Sequence, residues 1–264
     1  LEFRRVLFRS VDRRTVAVEQ QHRPAGQMES EVGLAVRAPV RLERGEAVAH
    51  RTDECAHGHM VARMQLLLVR HALPHRSDHG RGADPELSDV GHEQAARLPA
   101  ALSRFPLSRL VSSPQRRSVQ TAEPVAASLD LPIDIDERLA EYDRDMSGYV
   151  PLEDLRTAHP RQWERMAAGH LPEGVDEDAF RARIAAGVDA VVASAAHDET
   201  VALFSHGGVI NVILHEILGT ERVLSFPIDY ASVTRLLYSR SGRASVVATN
   251  TTEHVWDLLP RNQR

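Results

Sequence analysis

Two short apolar runs that stop abruptly at a histidine constrain this chain more than any other feature of it. The first, Gln65-Leu66-Leu67-Leu68-Val69, ends in Arg70-His71, and the second, Thr200 to Phe204, ends in Ser205-His206-Gly207-Gly208. A run of that length without polar alternation reads as a strand buried on both faces, and such strands belong to parallel sheets covered by helices. The intervening segments agree. Ser88 caps a helix with Ala95, Leu98 and Leu102 at helical spacing. Leu110-Val111 leads into Ser113-Pro114, which reads as the N-cap and first residue of a helix reaching about Ser128, with a strand at 132–135 after it. The stretch 137–174 reads as loop and helix. An amphipathic helix at 179–195 carries Phe180, Ile184, Val188 and Val191, and 209–218 is a helix ending at Gly219. Two strands follow near 232–238 and 244–249. The expected fold class is α/β: a three-layer α/β/α arrangement with a largely parallel sheet and helices on both faces.

In an open α/β sheet, binding sites form beyond the carboxyl ends of the parallel strands. The residues at those ends here are Arg70 and His71, then Ser113, Arg116 and Arg117, then His206 and Gly207. Guanidinium forks bind phosphate oxygens in pairs, and the exposed N–H groups of a helix start add further donors, so the set suits a doubly charged oxyanion. Arg116 and Arg117 also sit in the first turn of a helix, where a cation opposes the macrodipole at a cost of about a few tenths of a kcal/mol. A bound anion reverses that sign. A solvated helix face is the plain alternative for both arginines.

With 264 residues the chain has room for one large α/β domain. Its formal net charge of −5 points to neither a nucleic-acid nor an anionic-membrane partner. A single cysteine, Cys55, supports neither a disulfide framework nor a cysteine-rich zinc site, so the cytoplasm is the expected compartment. Residues 1–63 lack a sustained period of 2 or 3.6, and their opening, LEFRRVLFRSVDRR, mixes apolar residues with arginines where a secretory segment would be continuously apolar. The expectation there is a poorly structured leader that is not a genuine part of the protein. RVLFRS looks like a translated sequencing-adapter end, and MQLLLVRH reads as a natural start. A genuine disordered extension is the alternative. The domain is expected over 64–264.

Three blocks, LLLVRHA, SSPQRRSVQTAE and FSHGG, resemble in order and spacing the signature blocks of the histidine phosphatase superfamily, also called the phosphoglycerate mutase-like fold. The resemblance implies that His71 accepts the phosphoryl group while Arg70, Arg117 and His206 bind it. Ser113 and the backbone near Gly207 complete the substrate-binding set. Arg117, three residues before Gln120-Thr121-Ala122, matches the family arginine better than Arg116 does. The family's acidic proton donor falls in LAEYDRD, where Glu141 is chosen and Asp143 and Asp145 are rivals. Two departures stand out. Ala72 occupies the usual glycine position after the histidine, and Gly148 comes later than the glycine that often follows the acid.

An imidazole attacks phosphorus only when neutral, which the cationic arginines favour, and a bond from its other nitrogen to a backbone carbonyl would aim it. A protonated Glu141 would then protonate the leaving alkoxide. No cofactor and no metal are expected. The leading reading is a phosphomonoester hydrolase acting on a small phosphorylated metabolite through a phosphohistidine. Phosphoglycerate mutase-type transfer and a non-catalytic phospho-ligand binding module are the alternatives, and oligomeric state is left open. Substrate choice would rest on a cap over 140–175 with Tyr142, Tyr149 and His170. His57, His59 and His215-Glu216 are read as incidental, since none completes a metal motif, and His75 as an exposed loop histidine, with a place at the pocket mouth as the alternative.

Overall fold

The computed structural model describes residues 64–76, 84–146, 149–150, 152–196, 198–239 and 241–263. The chain divides into Leu1–His59 and Met60–Arg264, and every described residue lies in the second unit. The expectations for 1–63, including Cys55, His57 and His59, and that for Gly148 fall outside the described residues.

A six-stranded sheet in the order β3-β2-β4-β1-β5-β6 organises the domain. Its strands are β1 (Met64–Arg70), β2 (Leu107–Ser112), β3 (Ile133–Ile135), β4 (Thr200–Ser205), β5 (Val233–Tyr238) and β6 (Ala244–Thr251). The first four run parallel, whereas β5 and β6 are joined antiparallel at one side, so the sheet is mixed with a parallel majority. Strand β1 is buried at every residue because helices cover both faces. Leu66 and Leu68 on one face pack with Val201, Leu203 and the apolar side of α6 (Glu177–Ser194), including Ile184 and Val188. Leu67 and Val69 on the other meet Ala202, Phe204, and Ala122 and Val125 of α3 (Arg116–Leu129). This period-2 division between two cores makes each β1 leucine costly to truncate, at about 2–5 kcal/mol.

Local signals set several boundaries. Ser88 accepts from the Gly91 N–H and starts α1 (Asp89–Ala96); Pro99 then breaks the helix, so Leu98 and Leu102 belong to a separate short α2 (Leu98–Leu102). Ser113 does not cap α3. Gln115 occupies the cap position without a side-chain cap bond, and the helix begins at Arg116, because the Ser113 N–H continues the strand to Phe204 O at 3.0 Å and its Oγ is taken by His206 Nε2 at 2.7 Å. The segment read as loop and helix contains α4 (Leu152–Ala158) and α5 (Pro160–Ala167). Asp176 caps α6, and α7 (Gly207–Leu218) leaves β4 directly from His206 and ends at Gly219 with φ +62°.

Candidate active site

The register of β1 and β4 builds the centre of the site. Arg70 pairs with Ser205, so the residues that follow, His71 and His206, leave adjacent parallel strands at the same level. Their ring centroids stand 5.1 Å apart and both side chains are buried. The His71 N–H reaches Ser205 O at 2.8 Å, and its Nδ1 lies 2.8 Å from Ala72 O. A carbonyl only accepts, so Nδ1 carries the proton and Nε2 keeps its lone pair. Burial, with Arg117 and Arg70 close by, holds the imidazole well below its usual pKa, and His206 is shifted the same way by burial, Arg117, His71 and Arg70. Both rings are therefore neutral near pH 7.

Ser113 donates toward or accepts from His206 Nε2 at 2.7 Å, so it braces the second histidine instead of starting a helix. Arg117 is fully buried, with Nη2 at 2.9 Å from both Asp143 oxygens. Arg116 points out of the site to Glu86, while its backbone N–H reaches Asp84 Oδ1 at 2.8 Å. The structure thus brings Arg117, and not Arg116, to the histidines. Arg70 donates through Nη1 to Ile228 O at 2.5 Å and lies beneath the Tyr230 ring at 3.9 Å. Arg117 in turn lies 4.9 Å from the centre of Tyr149, which shares a hydrogen bond with Tyr230.

The three acid candidates separate by environment. Asp145 is exposed and close to Arg144, and Asp143 is bound to Arg117. Glu141 is buried, with Oε2 accepting from the Gly208 N–H at 2.8 Å and Oε1 from the Tyr142 N–H at 3.1 Å. Burial and then the Asp143 charge push its pKa up to about 7, against the pull of those two N–H groups and Arg117. A Cβ on Gly208 would sit 2.4 Å from Glu141 Oε1, so a larger residue there would push the carboxyl aside. Gly207 opens helix α7 beside Arg70, where a Cβ would lie 3.6 Å from Nε.

Ala72 settles into the fold without strain. It is absent from the positive-φ residues, its N–H donates to Thr121 Oγ1 at 2.9 Å, and its methyl packs with Leu87, Ala95 and Val255. The unusual backbone is instead at Ala231, with φ +51°, whose N–H reaches His71 O at 3.2 Å and whose position delivers Tyr230 over Arg70. Such a conformation costs on the order of 1–3 kcal/mol and tends to persist where a site demands it. Sequence reasoning missed Tyr230, the hold of Gly208 on Glu141 and the bracing role of Asp143, because each acts through a partner far along the chain. His75 is exposed, and His215 binds Thr220 Oγ1 through Nδ1 at 2.9 Å. Among the described residues no three or more His, Cys, Asp or Glu side chains gather in a metal-holding group, and no helix is long and apolar enough to cross a membrane.

The fold and site together define an α/β phosphoryl-transfer enzyme built around a histidine pair. The family model of the histidine phosphatase superfamily (branch 1) matches residues 66–251. Phosphoserine phosphatase 1 of Hydrogenobacter thermophilus is 28% identical over 203 residues, covering 74% of this chain and 96% of its own. Probable phosphoglycerate mutase GpmB of Yersinia enterocolitica is 27% identical over 165 residues, covering 59% of this chain and 75% of its own. Among solved structures, a mycobacterial glucosyl-3-phosphoglycerate phosphatase in complex with VO3 aligns with a TM-score of 0.59 and 25% identity, over 71% of this chain and 98% of that one. The chain belongs to the histidine phosphatase superfamily, and it is a phosphatase that hydrolyses phosphomonoesters.

Proposed function

We propose that this enzyme hydrolyses a small phosphate ester of a primary alcohol through a phosphohistidine on His71. One observation carries the reading: the Nδ1 contact of His71 with Ala72 O leaves Nε2 as the nucleophile beside His206 and the two arginines. The Nε2 lone pair attacks phosphorus as the ester P–O bond breaks. Arg70, Arg117, His206 and the Gly207 N–H hold the remaining oxygens as charge redistributes. Ser113 acts through His206, fixing which ring nitrogen faces the phosphoryl group. Glu141 gives its proton to the departing alkoxide; as carboxylate it then takes one from the water that attacks phosphohistidine, which breaks the P–N bond and restores neutral His71.

An alkoxide is a poor leaving group that needs an acid, and a carboxyl held near pKa 7 supplies one, which favours turnover over simple binding. The names of the relatives, a phosphoserine phosphatase and a glucosyl-3-phosphoglycerate phosphatase, support a substrate that contains a phosphorylated three-carbon acid unit, free or glycosylated. The single cysteine, Cys55, supports action in the cytoplasm. Residues 64–264 are proposed as the histidine phosphatase domain. The test is phosphate release across phosphoserine, 3-phosphoglycerate and p-nitrophenyl phosphate by the full chain and by its His71→Ala variant. Release abolished by the substitution supports the reading, and full activity in the variant overturns it. Formation of 2-phosphoglycerate from 3-phosphoglycerate with a bisphosphate primer, faster than phosphate release, would favour the mutase instead.

A further inference from the structure

Gln115 stands one residue before the helix that carries Arg117, is buried, and makes no cap bond to that helix. Its side chain spends both ends of its amide on the opposite loop. Oε1 accepts from the backbone N–H of Glu141 at 2.7 Å, and Nε2 donates to Asp143 Oδ1 at 2.8 Å. The partners fix the orientation of the amide, since an N–H can only donate and a carboxylate oxygen here only accepts. The same Asp143 carboxylate binds Arg117, and Glu141 continues to the Gly208 N–H at the start of α7. One amide therefore ties the acid to both the arginine helix and the second histidine's helix.

We propose, resting on the reaction assigned above, that Gln115 is a positioning residue that holds Glu141 at the distance and angle needed to protonate the leaving group. Neither test residue keeps both bonds: an ionised glutamate accepts but does not donate, and a methionine offers at most a weak thioether acceptor and no donor. The role is specific to the acid step. Arg117 keeps Asp143 with or without the amide, so phosphate binding and attack by His71 survive its loss, whereas a Glu141 backbone released from its anchor lets the carboxyl drift.

Single-turnover transfer to the enzyme from phosphoserine and from p-nitrophenyl phosphate, in the wild-type chain and in Gln115→Met and Gln115→Glu, tests this. The phenolic ester leaves without help from an acid and so reports folding and phosphate binding internally. Gln115→Met is expected to slow transfer from phosphoserine about 30-fold while changing the p-nitrophenyl rate less than about 3-fold. Gln115→Glu, which keeps the acceptor for the Glu141 N–H, is expected to lie between the two. Equal losses on both esters, or no loss on either, would overturn the inference while leaving the phosphohistidine reading intact. Absence of any phosphorylated wild-type enzyme would overturn both.

Discussion

Asp143 places both of its carboxylate oxygens 2.9 Å from the same Arg117 nitrogen, Nη2, in a buried pair at the edge of the phosphate site. The arginine is thus held in place and partly neutralised before any phosphate arrives, which limits the binding of product phosphate as well as substrate. Asp143→Asn keeps a hydrogen-bond acceptor but removes the charge. It is expected to lower stability by about 2–3 kcal/mol, since Arg117 loses its ionised partner in a buried setting. It is also expected to tighten inhibition by inorganic phosphate, and phosphate should raise the melting temperature of the variant more than that of the wild type. Thermal melting with and without phosphate checks both; a variant melting like the wild type would contradict them.

Glu141 must be protonated to act as an acid, and its pKa of about 7 places the loss of that proton at neutral pH. The kcat/KM for an alkyl phosphate, which reports the free enzyme, should therefore fall as pH rises through about 7. The kcat limb should lie at higher pH, because a bound phosphate dianion adds negative charge beside Glu141 and raises its pKa further. Glu141→Gln should slow alkyl esters about 100-fold or more and remove the alkaline limb of kcat/KM. Asp143→Asn should move that limb to lower pH, since the neighbouring charge that raises Glu141 is gone. Rate profiles from pH 5 to 9 decide these outcomes.

Gly208 holds the Glu141 carboxyl by its N–H, and a Cβ in its place would meet that carboxyl at 2.4 Å. Gly208→Ala is expected to displace the acid and slow phosphoserine hydrolysis about 10- to 100-fold, with little change for p-nitrophenyl phosphate. Combined with Glu141→Gln it should add almost nothing, because both changes remove the same step. Full additivity in that cycle would show that Gly208 acts elsewhere.

The strands that carry the two histidines were legible because burial on both faces leaves continuous apolar runs, and the switch to Arg70-His71 and Ser205-His206 marks where each strand leaves the core. The helix read through Ala95, Leu98 and Leu102 was not, since hydrophobic period outweighed Pro99, whose missing N–H and ring divide it. Ser113 followed a good local rule for a helix start, but a strand-end hydrogen bond and His206 claimed it first. Glu141 could be chosen only by resemblance. What separates it from Asp143 is long-range: one carboxylate lies on Arg117, and the other meets a backbone N–H at residue 208. Tyr230 carried no signal at all, because its place over Arg70 depends on the left-handed turn at Ala231.

The central claim is that His71 carries the phosphoryl group, and direct trapping tests it. Wild-type enzyme mixed briefly with a phosphomonoester, quenched in alkali and mapped by peptide mass spectrometry should show phosphate on His71 alone, stable to base and lost in mild acid. The label should accumulate in Glu141→Gln treated with p-nitrophenyl phosphate, where attack proceeds but activation of the second-step water is impaired. Turnover without any label, or a label on a residue other than His71, would contradict the account.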